Sequence, residues 1–418
     1  MNRKQNRVQS KLTHLNASIT LPASKSISNR ALILKEVYQI KTGNKISLHN
    51  LSEADDTHIL KSALEGNQTE INIQNAGTCL RFLTAYFAAK VGSDIIINGS
   101  ERMKERPIKA LVDALIQLGA KIDYIDSNGC LPIHIKGQQL KGGNISIDSH
   151  QSSQFVSALM MVSPLMSADL KIQLTGETVS KDYIVLTQTM LKEFGFTSHI
   201  SNNFEWVQTD INVQKTDIES YTIESDWSSA AFFYEAAMVA EEASITLENL
   251  RLNSIQGDGK IAEWMLGYGI KSFQEDKHVK LVKTHIKSAA LKNISFLDHP
   301  DLAPAFICAT AGAYLPFCAE GIYSLSFKES NRITALAEGL KKLHYKVVAD
   351  ENNLQHDGIP HTFYRNEIIE THHDHRICMS FAVLSIMLSE VVLSETESVQ
   401  KSFPNFWEEI KKIGIKRS

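Results

Sequence analysis

Apolar positions in this chain gather into helical stretches at a nearly fixed interval. Small and apolar residues run together in LRFLTAYFAA, FVSALMMV, SAAFFYEAAMVA, LAPAFICATAGA and ICMSFAVLSIML. Helices apolar on nearly every face are buried helices. Each stretch opens on a small polar cluster, at Gly77, Ser152, Trp227, Asp301 and His375, in steps of 75, 75, 74 and 74 residues. A further opening at Ser26 begins the series out of step. A second helix, amphipathic, is predicted in every unit, starting at Thr57, Pro107, Ile184, Gly259, Ile333 and Pro404. Most of these end near glycine, as helix C-termini do. Between the helices lie short β patterns such as SDIIING, LPIHIKG, NISIDS, KIQLTG, ASITLENL and KVVAD. Regularity of this kind marks an internal repeat.

Six units divide naturally into three plus three, each trio closed around its own buried helices. The expected crossings fall near Pro22–Lys25 and Glu224–Trp227, and a first strand, about Ala17 to Leu21, joins the second trio. The predicted fold is therefore α/β (α+β) with two globules. One spans residues 23–224 and the other spans 1–22 plus 225–418.

Composition narrows the function. Of 418 residues, 43% are hydrophobic and 22% charged, the balance of an ordinary globular protein. A net charge of −4 provides no global basic field for nucleic acid or acidic membranes, so any anion site must be built locally. Five scattered cysteines without CxxC spacing point to reduced thiols and a cytoplasmic protein. The basic N-terminal segment lacks the apolar core of a secretory signal. SFAVLSIML, from Ser380, is about half the ~20 residues a membrane helix needs.

The helix openings carry the chemistry. Side chains there sit beside free backbone N–H groups and the positive end of the helix dipole, which suits anions. In LPASKSISNRALIL, Ser24 can cap a helix whose first turns present Lys25, Ser26 and Arg30: a mobile charge, a hydroxyl and a bidentate fork. A capped helix with solvated basic residues fits that segment equally well. In NAGTCLR, Gly77 admits close approach to the backbone, and a plain turn is the ordinary alternative. GSERMKERP places Arg102, Lys104 and Arg106 before Pro107 at a first helical position, although solvated charge runs are common. Capping explains one of Ser152 and Ser153, not both together with Gln154. Ser180, Lys181 and Tyr183 repeat the theme.

Titratable groups concentrate in the second half. Asp301 stands before an entirely apolar helix, where it is either a cap or a costly unpaired carboxylate. In FKESNRITAL, Lys328 and Arg332 are spaced i,i+4 and share a helix face, with Glu329 adjacent. HHDHRICMS puts Asp374, His375 and Arg376 at the last buried-helix start. A metal reading through His372, His373 and His375 is disfavoured because Arg376 would repel a cation. Lys401 precedes the final helix. No Walker loop, nucleophile elbow, HExxH or GxGxxG occurs.

Taken in order, LPASKSISNR, NAGT with Arg81, RMKERP, SSQF, KES-R, DHR and KSFP resemble the EPSP synthases, members of the enolpyruvyl transferase family. The resemblance runs over nearly the whole chain. It implies two globules of three βαβαββ-type units each, an inside-out α/β arrangement with the active site in the cleft between them. It further implies transfer of the enolpyruvyl group of phosphoenolpyruvate to the 5-hydroxyl of shikimate 3-phosphate by addition and elimination, with release of phosphate. By motif, contacts to shikimate 3-phosphate fall on Lys25, Ser26, Arg30, Ser152, Ser153, Gln154, Ser180, Asp301, Ser324 and Lys328. Phosphoenolpyruvate contacts fall on Lys25, Gly77, Arg106, Gln154, Arg332, Arg376 and Lys401, with Arg81 in support. Asp301, Glu329 and Lys25 are the catalytic candidates. No metal or other cofactor, nucleic acid or membrane is called for, and a monomer is expected.

Three departures stand out. Ser324 replaces a common Asn, Phe82 replaces a common Pro, and Asn331 replaces the usual Asp before Arg332, a change expected to loosen that guanidinium. Two rivals share features of this reading. A UDP-N-acetylglucosamine enolpyruvyl transferase would carry a Cys in the stretch Gly99 to Pro107, which has none. A non-catalytic binder of phosphorylated metabolites would need the anion clamps but not Asp301 or Glu329.

Overall fold

A computed structural model describes residues 5–150, 152–214, 218–284, 292–362, 364 and 367–418. The chain falls into two compact units, one of residues Met1–Ala23 with Glu224–Ser418 and the other of Ser24–Ile223. Among the described residues no helix is long and apolar enough to cross a membrane.

Six inner helices follow the predicted openings closely. In the Ser24–Ile223 unit they are α1 (Lys25–Thr42), α2 (Gly77–Ala89) and α3 (Ser153–Val162). In the other unit they are α4 (Trp227–Val239), α5 (Ala303–Gly312) and α6 (His375–Val383). Three of these starts, those of α3, α4 and α6, are capped by short polar side chains. Asp226 accepts from the Ser229 N–H at 2.8 Å, Asp374 from the Arg376 N–H at 3.0 Å and Ser152 from the Gln154 N–H at 3.2 Å. Each such cap is worth about 1 kcal/mol. Ser24 occupies the cap position of α1 but makes no capping bond, and its hydroxyl is buried without a partner. Pro107 likewise does not begin a helix; the following one runs Lys109–Gln117.

Around the inner helices, five four-stranded sheets among the described residues share one connectivity. A strand before the inner helix pairs in parallel with the strand after it, as Glu70–Asn72 does with Asp94–Asn98. That second strand pairs antiparallel with one arm of a hairpin, as Asp94–Asn98 does with Ile133–Lys136. Each full unit thus carries the four strands of a βαβαββ-type unit. The chain's first described strand, Gln5–Ser10, was not foreseen. It takes the hairpin position in the last sheet, between Glu390–Ser394 and Ile415–Arg417. Its alternation is masked by polar residues, since only Val8 is an apolar core residue.

The opening at Ser26 is out of step for a structural reason. Among the described residues its unit shows the parallel pair Ser47–His49 with Ser220–Thr222 and no hairpin. Helix Asp55–Glu65 then leads straight to the next unit, so Ser26 to Gly77 is 51 residues instead of 75.

The core of the Met1–Ala23 and Glu224–Ser418 unit is aromatic and dense, with Trp227, Tyr234, Phe232, Phe233, Phe296 and Phe306 fully buried. Burial of each such side chain contributes about 1.5–3 kcal/mol. One residue breaks the pattern. Glu235, on α4, is completely buried and neither carboxyl oxygen has a partner. Burial pushes its carboxyl well above the usual range.

Candidate active site

In the Ser24–Ile223 unit the helix openings gather cations, Arg30 among neutral donors and acceptors and Lys25 beside a carboxylate. Arg30, in the second turn of α1, is buried. Its Nε donates to Thr187 Oγ1 at 2.8 Å, Nη1 to the Ser26 carbonyl at 3.0 Å and Nη2 to Ser157 Oγ at 3.2 Å. The rings of Phe82 and Tyr183 lie 5.3 and 5.5 Å from its Cζ. Burial lowers the guanidinium to about 10. Phe82, the departure from Pro, therefore forms one wall of this charge. Lys25 Nζ lies 3.5 Å from Asp56 Oδ2, a buried carboxylate in the first turn of the next helix. Gln154 Nε2 donates to Thr78 Oγ1 at 3.3 Å and so ties the openings of α3 and α2. A methyl on Gly77 would collide with the guanidinia of Arg106 and Arg81. Arg81 Nη1 donates to the Gly77 carbonyl at 2.8 Å, which supports that turn. Ser153 and Ser180 are buried, and Ser180 holds φ at 53° at the start of helix Lys181–Glu193. By contrast, Arg102 and Lys104 form exposed pairs with Glu105 and Glu101, both at 2.8 Å, so the solvated reading holds for them.

In the other unit the openings build a continuous ionic network. Asp301 sits on a single 3-10 turn, Pro300–Leu302, ahead of α5. Its Oδ1 lies 3.5 Å from Lys328 Nζ and 3.1 Å from Arg332 Nη1, and its Oδ2 lies 3.3 Å from Arg376 Nη2. Burial alone would raise this carboxyl, but Arg376, Lys328 and Arg332 together hold it well below the usual carboxylate range. Arg332 also donates to Glu329 Oε2 at 2.7 Å and, as a two-point fork, to Asp374 at 2.8 and 3.2 Å. Burial would lower Arg332, yet Asp374, Glu329 and Asp301 raise it above its ordinary value. Lys401 Nζ closes the far side at 2.9 Å from Glu329 Oε1. Burial lowers the Lys328 ammonium, against the pull of Asp301.

Four cations thus enclose Asp301 and Glu329, with Asp374 as an inner counter-ion. Such a network can hold an anion and exchange protons with it. Among the described residues no group of three or more His, Cys, Asp or Glu is placed to hold a metal ion. His372 and His373 turn instead toward Glu338 and Glu395, at 3.9 and 3.4 Å.

The family profile of EPSP synthase (3-phosphoshikimate 1-carboxyvinyltransferase) matches residues 43–410. The chain belongs to the EPSP synthase family. A 3-phosphoshikimate 1-carboxyvinyltransferase of Bacteroides fragilis is 38% identical over 406 residues, covering 96% of each chain. One of Haemophilus influenzae is 33% identical, covering 97% of this chain and 98% of the other. The EPSP synthase of Acinetobacter baumannii matches in fold, with a TM-score of 0.74 over 99% of both chains at 23% identity.

Within this EPSP synthase family fold, several expectations need correcting. Lys328 and Arg332 do not share a helix face. Lys328 is extended and the helix begins only at Arg332, so Asp301 joins the two instead. Asn331 does not loosen Arg332. It caps the helix, accepting from the Thr334 N–H at 3.2 Å, while Asp374 fixes the guanidinium. At Ser324 the buried hydroxyl has no hydrogen-bond partner within the chain. Asp56 and Asp374, the counter-ions of Lys25 and Arg332, were missed as site residues. An acid in a helix's first turn ordinarily reads as a dipole or capping residue.

Proposed function

We propose that the chain catalyses the reaction of its family, transfer of the enolpyruvyl group from phosphoenolpyruvate to the 5-hydroxyl of shikimate 3-phosphate. The observation that carries the reading is Asp301, one half-buried carboxylate facing three cations, beside Glu329 between Arg332 and Lys401. A mere anion clamp would have no use for carboxylates that compete with its ligand. With no substrate bound they are internal counter-ions. Arrival of substrate phosphate and carboxylate groups shares out the cations, and each carboxylate then regains affinity for a proton.

On this reading Asp301 takes the proton of the 5-hydroxyl as its oxygen bonds to C2 of phosphoenolpyruvate. Glu329 delivers a proton to C3 in the same addition and later removes one, as the C2–O bond to phosphate breaks. Proton transfers of this kind contribute about 10²–10⁴-fold. Arg332, Arg376, Lys401 and Arg106 hold the donor, with Gly77 and Gln154 at its backbone. Arg30, Ser26, Ser152, Ser153, Gln154, Ser180 and Lys328 hold the acceptor. Lys25, held near Asp56, is the third proton-transfer candidate. Positioning of two anions against like-charge repulsion is the main work of the basic groups. The test is phosphate release from phosphoenolpyruvate that requires shikimate 3-phosphate. Release that requires UDP-N-acetylglucosamine instead, or binding without release, would overturn it.

A further inference from the structure

Phe82 stands at a position commonly held by proline, and the reaction above gives it no part. It is the sixth residue of α2, as Arg30 is of α1, and both helices belong to the Ser24–Ile223 unit. Both side chains are buried, Phe82 completely. A ring so enclosed reaches the reactants only through a neighbour, and that neighbour is Arg30. The guanidinium carbon of Arg30 lies over the Phe82 ring, 5.3 Å from its centroid. A second ring, Tyr183, lies 5.5 Å from the same atom.

The groups that hold this guanidinium carry no net charge. Its hydrogen bonds run to the hydroxyls of Thr187 and Ser157 and to the carbonyls of Ser26 and, at 3.4 Å, Tyr183. Lys25, at the start of the same helix, has the Asp56 carboxylate 3.5 Å away instead. A carboxylate beside Arg30 would fix it, but would also claim the charge that an arriving anion needs. An aromatic face attracts a cation through its quadrupole and has no net charge, so it holds the guanidinium without competing for the ligand. It also occupies none of the N–H donors of the arginine. The attraction grows when the cation is desolvated, as Arg30 is. A proline at position 82 would offer no such face.

We propose that Phe82 is a positioning residue for the acceptor substrate: its ring face fixes the Arg30 guanidinium where it meets an anionic group of shikimate 3-phosphate. The inference rests on the proposed reaction and on Arg30 as a contact to that substrate. Without the ring, the Arg30 side chain has to be ordered as the acceptor arrives. Ordering one long side chain weakens binding roughly three- to tenfold. Phosphoenolpyruvate is held by other residues, so its KM stays level, as does kcat once the acceptor is saturating.

The experiment measures Kd for shikimate 3-phosphate by calorimetry, with KM for phosphoenolpyruvate and kcat alongside. The proteins compared are wild type, Phe82→Leu, and the chain carrying mono-, di- or trifluorinated phenylalanine at position 82. Leucine is apolar and lacks a π face. Fluorination nearly keeps the shape of the ring while weakening its negative face step by step. Kd should rise roughly three- to tenfold in Phe82→Leu and climb in order of fluorine content, while KM for phosphoenolpyruvate and kcat change less than about twofold. A ring that acts only by filling space gives a flat fluorine series, and that result would overturn the proposal. So would a change in KM for phosphoenolpyruvate as large as the change in Kd, which marks a general distortion. Should Phe82→Leu fail to fold, the fluorinated series decides alone. A wild type that neither binds shikimate 3-phosphate nor releases phosphate sinks the proposed reaction and this inference with it. Wild-type turnover with a flat series sinks the inference alone.

Discussion

Arg30 and Arg332 are both buried arginines near a helix opening, yet they are held in opposite ways. Arg332 is wrapped by Asp301, Glu329 and Asp374. The contacts of Arg30 are hydroxyls, carbonyls and two aromatic rings. The first arrangement neutralises itself and keeps its carboxylates as reactive groups. The second leaves a desolvated positive charge that an arriving anion can neutralise, which burial already makes easier to deprotonate. On the proposed reading the first arrangement serves proton exchange within a clamp and the second serves holding. The same repeat supports both because its openings differ in a few side chains.

Replacing each arginine by methionine tests this contrast most severely. Arg332→Met leaves Asp374 buried and unpaired and should cost about 3–5 kcal/mol in denaturant unfolding. Arg30→Met should change stability by less than about 1 kcal/mol, since an unpaired buried cation gives way to an apolar group. Thr187 and Ser157 keep each other as partners at 2.9 Å. Binding of shikimate 3-phosphate, measured by calorimetry, should nevertheless be lost in Arg30→Met. Equal destabilisation by the two substitutions would erase the distinction.

Catalytic substitutions come next. Asp301→Ala and Glu329→Gln should each lower kcat by about a hundredfold or more, with the protein still folded. Near-normal turnover in either would remove that residue from its role.

Glu235 extends the comparison to a buried acid with no partner at all. Its folded-state carboxyl is raised above the unfolded value, so the wild type keeps its full stability only below about pH 4.5. Stability is then lost at up to about 1.4 kcal/mol per pH unit as pH rises toward the folded value. Glu235→Gln removes that slope, and the gap between variant and wild type should widen from pH 5 to pH 8 in urea unfolding. A constant gap would show that the carboxyl finds a partner.

The smallest effect belongs to Asn331. Asn331→Ala should cost about 1 kcal/mol through the lost cap while KM for phosphoenolpyruvate changes less than about twofold. A large KM change would restore the idea that this position orients Arg332.

The fold was legible in the chain because an apolar run flanked by short polar caps carries its own boundaries. Helix starts at Gly77, Trp227 and His375 were readable to the residue. The strand Gln5–Ser10 was not, since its pairing with Glu390–Ser394 lies at the far end of the chain and its own residues are mostly polar. The site divides in the same way. Asp301, Glu329, Lys328 and Arg376 stand in compact motifs and could be named. Asp56 and Asp374 could not be assigned, because a carboxylate's partner is set by tertiary approach rather than by its sequence neighbours. The expected helix face of Lys328 and Arg332 failed for a local reason: with Asn331 as its cap the helix begins at Arg332, four residues after Lys328, where the spacing rule would need it to begin.

The central claim is that the carboxylates of the ionic network turn an anion clamp into a transferase. Single-turnover release of phosphate from phosphoenolpyruvate, with and without shikimate 3-phosphate, tests it most directly. One equivalent of phosphate, matched by one enolpyruvyl ether and absent without the acceptor, is the predicted result. Tight binding of both compounds with no phosphate released would contradict the account.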